Sequence, residues 1–309
     1  MEPNLDHQQD DPAGDGLTAS PRHPVASPDV AGPFLAHRPM LFGLAYRLLG
    51  TAWDAEDVIQ DAYLRWAGAD RSAVREPRRY LSRTVGRLAL DRLRQRNAEP
   101  YAGPWLPEPV VADPAVLGPL DTVEQRDSVS IATLHLLERL NPPERAVYVL
   151  RTAFDVPYDE IAEIIERSPE HCRQLYHRAS ERIGGTARFS TDRERHAQLL
   201  HRFMAAAQAG DLAGLAELLR ADVVAWTDGG GKANAARKPV HGRDRVARAF
   251  TRWYGPMWPL EITMLELGGL PALTFRRGGI RRILAVAIED GQIARVYVIL
   301  NPDKLRSFG

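Results

Sequence analysis

Between Pro100 and Pro119 the chain reads PYAGPWLPEPVVADPAVLGP, with further prolines at 104, 107, 109 and 114. No α-helix runs through such a stretch, because proline lacks the N–H and its ring collides with the preceding turn. A central strand is excluded for the same missing donor. The chain is therefore divided here, and what precedes and follows must fold as separate units joined by residues 100–126. The linker also carries Trp105, Leu106, Val110 and Val111. Apolar side chains in a linker predict that it lies on another part of the molecule instead of in water.

Before the linker, residues 1–30 are rich in Asp, Pro, Gly and Ser and poor in large apolar residues, the composition of a disordered tail. From Phe34 to Asn97 the apolar spacing is helical. Leu41, Leu44, Ala45 and Leu48 mark one helix, Val58, Ala62 and Trp66 a second that starts at Trp53-Asp54, and Tyr80, Leu81, Val85 and Leu88 a third after Pro77. After the linker, residues 127–187 are helical again. They end in Tyr158–Ile165, a Glu166-Arg167-Ser168 turn and a helix over 169–183, with Ser168 placed to cap it and Pro169 at its first position. Two short helices about a three-residue turn predict a helix-turn-helix. From His196 the texture changes once more. A helical hairpin over 196–219 precedes strand-like runs at 223–226, 260–267, 272–276, 283–288 and 293–300, with a helix at 243–254 between them. The expected fold is two all-α units, 31–99 and 127–187, followed by an α+β unit over 192–309.

A formal net charge of +0 argues against a nucleic-acid partner only if the charge is spread evenly, and it is not. Residues 1–33 hold six acids against Arg22, whereas residues 78–96 hold seven arginines against Asp91. Local charge decides affinity for a phosphate backbone. Arg78, Arg79, Arg83, Arg87 and Arg94 with Tyr80 suit strand tracking and base stacking. A solvated basic face is the alternative. On the helix 169–183, Cys172, Leu175, Ala179 and Ile183 fall in one narrow arc and must be buried. Glu170, Arg173, Gln174 and His177 lie outside that arc where base edges would be read, His171 lies on its flank as a further DNA-facing candidate, and Arg178 and Arg182 would hold phosphates. An ordinary solvated helix is the competing reading. The single cysteine, Cys172, excludes a disulfide framework and a multi-cysteine zinc site. No metal or other cofactor is expected. Without an apolar run of about 18 residues or a signal-peptide start, the chain is expected in the cytoplasm and not in a membrane.

The motifs now resemble a known family. Asp54-Ala55-Glu56-Asp57-Val58-Ile59-Gln60-Asp61 with Tyr63-Leu64-Arg65-Trp66 is similar to the region 2 helix of extracytoplasmic-function sigma factors. Pro77–Leu81 and Ala89–Arg94 resemble their −10 segment, and Leu140–Arg182 resembles region 4. Trp105-Leu106-Pro107-Glu108-Pro109, Asp228-Gly229-Gly230-Gly231-Lys232 and Asn301-Pro302-Asp303-Lys304-Leu305 narrow the resemblance to the subgroup with a SnoaL-like, cone-shaped C-terminal domain. The resemblance implies a transcription initiation factor that binds core RNA polymerase at the β′ clamp helices and the β flap. Asp54, Asp57, Gln60, Asp61 and Arg65 would face the clamp, residues 69–87 would capture an unstacked −10 base, and 169–183 would read −35. The linker would run toward the polymerase cleft. The C-terminal domain would regulate through intramolecular contacts of Trp105, Pro107, Glu108, Asp228, Gly229, Gly230, Lys232, Asn301, Pro302, Asp303 and Lys304. The competing class is a small-molecule sensor or polyketide-cyclase-like enzyme with a helical adaptor half, for which Asp222, Asp228, His241 and Asp244 would be the acid–base candidates. Fold analogy alone does not make such a site.

Overall fold

The computed structural model describes residues 28–96, 101–111, 113–118, 125, 128–183, 192–257 and 260–308. Nearly all of the expected acidic tail lies outside them. The helices are α1 (Pro28–Leu49), α2 (Ala52–Ala67), α3 (Pro77–Arg96), α4 (Pro114–Leu117), α5 (Ile131–Leu137), α6 (Pro142–Phe154), α7 (Tyr158–Ile165), α8 (Pro169–Ile183), α9 (Arg193–Ala209), α10 (Leu212–Leu218) and α11 (Arg243–Tyr254). The strands are β1 (Leu219–Asp228), β2 (Val240–His241), β3 (Ile262–Leu267), β4 (Leu270–Arg277), β5 (Ile280–Glu289) and β6 (Gln292–Ile299), and Pro302–Phe308 closes the chain as a 3-10 turn. Among the described residues no helix is long and apolar enough to cross a membrane.

The first unit packs α1, α2 and α3 about Leu41, Leu48, Val58, Trp66, Leu81 and Val85. Helix α1 begins at Pro28, earlier than the apolar spacing indicated, and its Phe34 is buried with its ring 5.1 Å from that of Tyr63. The second unit is α5–α8. An Asn141–Glu144 capping box opens α6, and Glu166 in the left-handed region (φ 57°) ends α7. The 6-stranded sheet of the third unit runs β2-β1-β6-β5-β4-β3, antiparallel except for β1 and β6, which are parallel.

This sheet is covered on both faces. Val223, Ala225, Leu284, Val286, Val296 and Val298 pack on α9, α10 and α11, while Ile283, Ala285, Ala287, Tyr297 and Ile299 point the other way into the apolar core of the helical units. Alternate residues of one strand therefore belong to two cores, which explains the unbroken apolar run Ile283–Ile288. At the seam, the His135 ring lies 4.9 Å from Trp226 and 5.4 Å from Tyr297, and those two rings stack. The apolar linker does lie on the protein: Leu106 is fully buried and Pro107 and Pro109 are buried beside it.

Candidate nucleic-acid and polymerase interfaces

Helix α2 is held at its start by Thr51, which accepts from the Asp54 N–H, and by the Glu108 carboxylate of the linker, which accepts from the Ala52 N–H at 2.8 Å. Its inward stripe is Ala55, Val58, Ile59, Ala62 and Trp66. On the outside, Gln60, Asp61 and Arg65 are exposed as the sequence suggested, but Asp54 and Asp57 are bound by Arg92 of α3, each at 3.0 Å. Sequence reasoning missed the apolar members of this face. Trp53 and Leu64 are each 68% exposed. With Asp57 and Gln60 they follow the spacing 53, 57, 60, 64, so the pattern was available as an outward stripe.

The seven arginines of α3 divide into groups with different partners. Arg92 binds α2, and Arg96 reaches the Leu49 carbonyl and the Glu138 carboxylate. Buried Arg145 approaches Glu138 too, and the two guanidinia hold the Glu138 carboxyl below its usual range against the opposing effect of burial. Arg94 pairs with Asp91. Arg79, Arg83 and Arg87 form one row at intervals of one helical turn, and all three meet helix α7. Arg79 and Arg83 lie 2.5 and 3.7 Å from Glu163, and Arg87 lies 3.0 Å from Glu166 and donates to the Glu163 carbonyl at 2.9 Å. Between these pairs Ile164 sits over Gly86 so closely that a Cβ there would be 2.7 Å from its Cγ2. Arg78 remains exposed, and Tyr80 is half-buried with its ring 5.8 Å from Trp66. Three of the six predicted −10 residues are thus paired with the second unit, and Glu163 and Glu166 were not among the residues singled out.

Helix α8 behaves differently. Cys172, Leu175, Ala179 and Ile183 are its buried face, and the Ser168 hydroxyl accepts from the His171 N–H at 3.2 Å. Burial raises the Cys172 thiol above its ordinary value, in keeping with a packing role. Glu170, Arg173, Gln174, His177 and Arg178 are exposed, and His171 is half-buried. Arg182 turns to the buried Glu144 carboxylate at 2.5 Å, so it is committed to its own unit.

The three short motifs of the resemblance meet at one clasp. Asp228, fully buried at the end of β1, accepts from the Tyr101 hydroxyl (2.6 Å), the Leu106 N–H (2.9 Å), the Gly230 N–H (3.0 Å) and Lys304 Nζ (2.7 Å). Lys304 also donates to the Leu106 carbonyl and stands 4.2 Å from the Trp105 ring centre, on which Arg96 lies at 4.5 Å. Burial lowers the Lys304 pKa while Asp228 opposes the shift. Burial and the neighbouring Asp228 carboxylate push the Tyr101 phenol well up. Asn301 donates to the Tyr101 oxygen at 3.0 Å, and Gly230 is required beside it: its φ is 58° and a Cβ would fall 2.2 Å from the Asn301 amide. Gly229 is buried in the same turn, Lys232 pairs with Asp303 at the rim, and Pro302 opens the closing turn. Tyr101 is the member that sequence reasoning overlooked.

A second anchor was also missed. Buried Arg47 donates to the Gly43, Leu117 and Gln125 carbonyls and to the Ser128 hydroxyl, binding the C-terminal part of the linker to α1, and burial lowers its pKa to about 10. The linker is therefore held on the protein at two places, on α1 by Arg47 and on the third unit by the clasp.

The acid–base candidates do not converge. Asp222 is exposed and bound to Arg220, Asp228 is six residues further along β1, about 20 Å away, and belongs to the clasp, and His241 and Asp244 line an open surface depression. Between sheet and helices the interior is filled by Phe203, Phe250, Tyr254 and Phe275, with ring centres 4.9 Å apart for Phe203–Phe250 and 5.2 Å for Tyr254–Phe275.

Residues 34–99 match the family model of sigma-70 region 2, and residues 130–183 that of sigma-70 region 4. The chain is 39% identical over 286 residues to the ECF RNA polymerase sigma factor SigJ of Mycobacterium tuberculosis, covering 88% of this chain and 91% of that protein. It is 32% identical to the probable ECF RNA polymerase sigma factor SigI of the same species, covering 89% and 94%. The crystal structure of the M. tuberculosis SigJ superposes with a TM-score of 0.71 at 34% identity, covering 89% of this chain and 98% of that one.

Proposed function

The chain belongs to the extracytoplasmic-function sigma factors, which direct RNA polymerase to promoters, and from that premise we propose how its three units divide the work. The outer face of α2, with Trp53, Gln60, Asp61, Leu64 and Arg65, docks on the clamp of core polymerase. Helix α8 reads −35 duplex through Glu170, Arg173, Gln174 and His177. Helix α3 takes the −10 element through Arg78, Arg79, Tyr80, Arg83 and Arg87 once α7 has left it. The C-terminal domain regulates by binding, with no reaction of its own, and the chain works where polymerase does, in the cytoplasm.

The observation that carries this reading is the ion-pair row between α3 and α7. Glu163 and Glu166 occupy the arginines that would meet the DNA backbone, while the readers of α8 stay in solvent. The described arrangement is a closed form, and the clasp of Asp228 and Lys304 on Leu106 favours it by fixing the linker between the two DNA-facing units. Polymerase binding and α3–α7 separation are then linked equilibria: whatever stabilises the open form raises promoter output.

The test is run-off transcription by core polymerase on a −35/−10 template, with the full-length chain and with a Lys304→Ala variant. Promoter-specific transcript only when the chain is added supports the reading, and an altered yield with the variant supports regulation by the clasp. Equal output from both chains would remove the regulatory part. No transcript from either would remove the division of labour.

A further inference from the structure

Residues 192–309 carry 18 Lys and Arg against 12 Asp and Glu, although the whole chain has 40 of each. Part of this excess is gathered on α11. Arg245, Arg248 and Arg252 recur at intervals of three and four, within about 60° of the helix circumference, opposite the buried Val246, Phe250 and Tyr254. All three are exposed, and among the described residues none of them enters an ion pair. An open depression of about 460 Å³ continues the patch, lined by His241, Arg243, Arg245 and Arg248, with Asp244 as its one carboxylate and no Phe, Tyr or Trp. The contrast with α3 is direct, since its cations are mostly committed to carboxylates within the chain.

We propose that this face of the C-terminal domain is a second DNA-binding surface, which grips the phosphate backbone of duplex promoter DNA without reading its sequence. The inference rests on the reading of the chain as a promoter-binding sigma factor. Guanidinium forks match phosphate oxygens in pairs. The row from Arg245 to Arg252 rises about 10 Å, and over that length a duplex presents about six phosphates. Three arginines can neutralise about half of them. A lining with His241 as its single ring and no Phe, Tyr or Trp fits a duplex, whose bases are stacked inside, better than a single strand, which asks for stacking platforms. The domain is also placed to act with α8: helix α5 of the second unit lies against β5 and β6 through the His135–Trp226–Tyr297 cluster, so the arginine face travels with the −35 reader.

The experiment uses the full-length chain, fluorescence anisotropy and two labelled duplexes, one promoter and one scrambled, titrated between about 0.05 and 0.2 M salt, the range over which backbone binding is most salt-sensitive. Replacing Arg245, Arg248 and Arg252 together by Ala lowers the magnitude of the salt slope by about 2 to 3, weakens both duplexes about tenfold at the lowest salt, and leaves the preference for promoter intact. The matching Arg→Lys triple keeps the slope, because point charges suffice for counterion release. Arg173→Ala behaves in the opposite way, losing the preference with little change of slope. Thermal melting of the Ala triple coincides with that of the parent, since the three side chains are in solvent.

If the Ala triple keeps the parent slope while Arg173→Ala loses its preference, the second surface is refuted and the −35 reading stands. If neither variant changes binding, or the full-length chain binds no duplex at low salt, both are refuted. Dependence of single-stranded RNA binding on the three arginines, with none for duplex, also overturns the proposal.

Discussion

Replacing Glu163 and Glu166 by Gln removes the charge that α7 offers to α3 and leaves every residue of α3 proposed to meet DNA intact. The three contacts involve half-exposed side chains, 40–42% exposed at Arg79, Arg83, Arg87 and Glu163 and 70% at Glu166. Each is therefore a surface pair, at the lower end of about 0.2–1 kcal/mol in water, and the row amounts to about 1 kcal/mol. That shifts the ratio of closed to open chains about fivefold, since about 1.4 kcal/mol corresponds to tenfold. The apolar contact of Ile164 on Gly86 survives the change, so the double variant opens further without coming apart. The assay is energy transfer between dyes on exposed positions of α2 and α8, read beside run-off yield at limiting polymerase. Transfer falls and yield rises at about 0.05 M salt, and the difference from the parent fades near 1 M, where the screening length is about 3 Å. Gly86→Ala supplies the uncharged control. Its methyl must displace Ile164, and it opens the same seam with no salt dependence. Identical transfer and yield for the parent and the Glu double variant at low salt would refute the argument that these ion pairs hold the seam.

Further expectations follow from the other sites. Lys304→Ala strands the fully buried Asp228 carboxylate and costs about 3–5 kcal/mol, seen as a lower melting temperature and as faster chymotryptic cleavage at Tyr101 and Trp105 than in the parent. Trp53→Ala and Leu64→Ala leave melting unchanged, because both side chains are exposed, yet weaken core polymerase binding about tenfold each in a pull-down titration; unchanged affinity would place the docking face elsewhere. Burial lowers the His135 pKa from 6.5 to about 4. The unfolded chain then binds a proton that the folded chain refuses, so this contribution is complete above pH 6.5 and is lost as pH falls toward 4. The loss is about 3 kcal/mol, and it falls at the seam with Trp226 and Tyr297. A His135→Gln variant should show a shallower decline of melting temperature between pH 6.5 and 4.

The local architecture was legible before any coordinates. The buried arc of α8, its Ser168–Pro169 start, the helical texture of α1–α3 and the break at the proline-rich linker all depend on interactions spanning no more than about four residues, which periodicity and capping record directly. The unbroken run Ile283–Ile288 even carried the information that the sheet would be covered twice, though the covering partner could not be read from it. The candidate surfaces were legible as residue types and not as states. Arg79, Arg83 and Arg87 were evident as members of an arginine-rich run, but their partners Glu163 and Glu166 lie 76 to 84 residues away. Asp228 and Lys304 stood in recognisable motifs, yet the backbone they grip at Leu106 is more than a hundred residues distant from both. Such pairings are weak, polar and dependent on an ångström-scale approach, so they form only where the apolar faces of separate units have already set the distances. The sequence by itself determined which helices and strands exist and which of their faces are charged. The tertiary structure decided which of those charges face water and which face each other, because burial of the sheet's second face and of the linker brings them together.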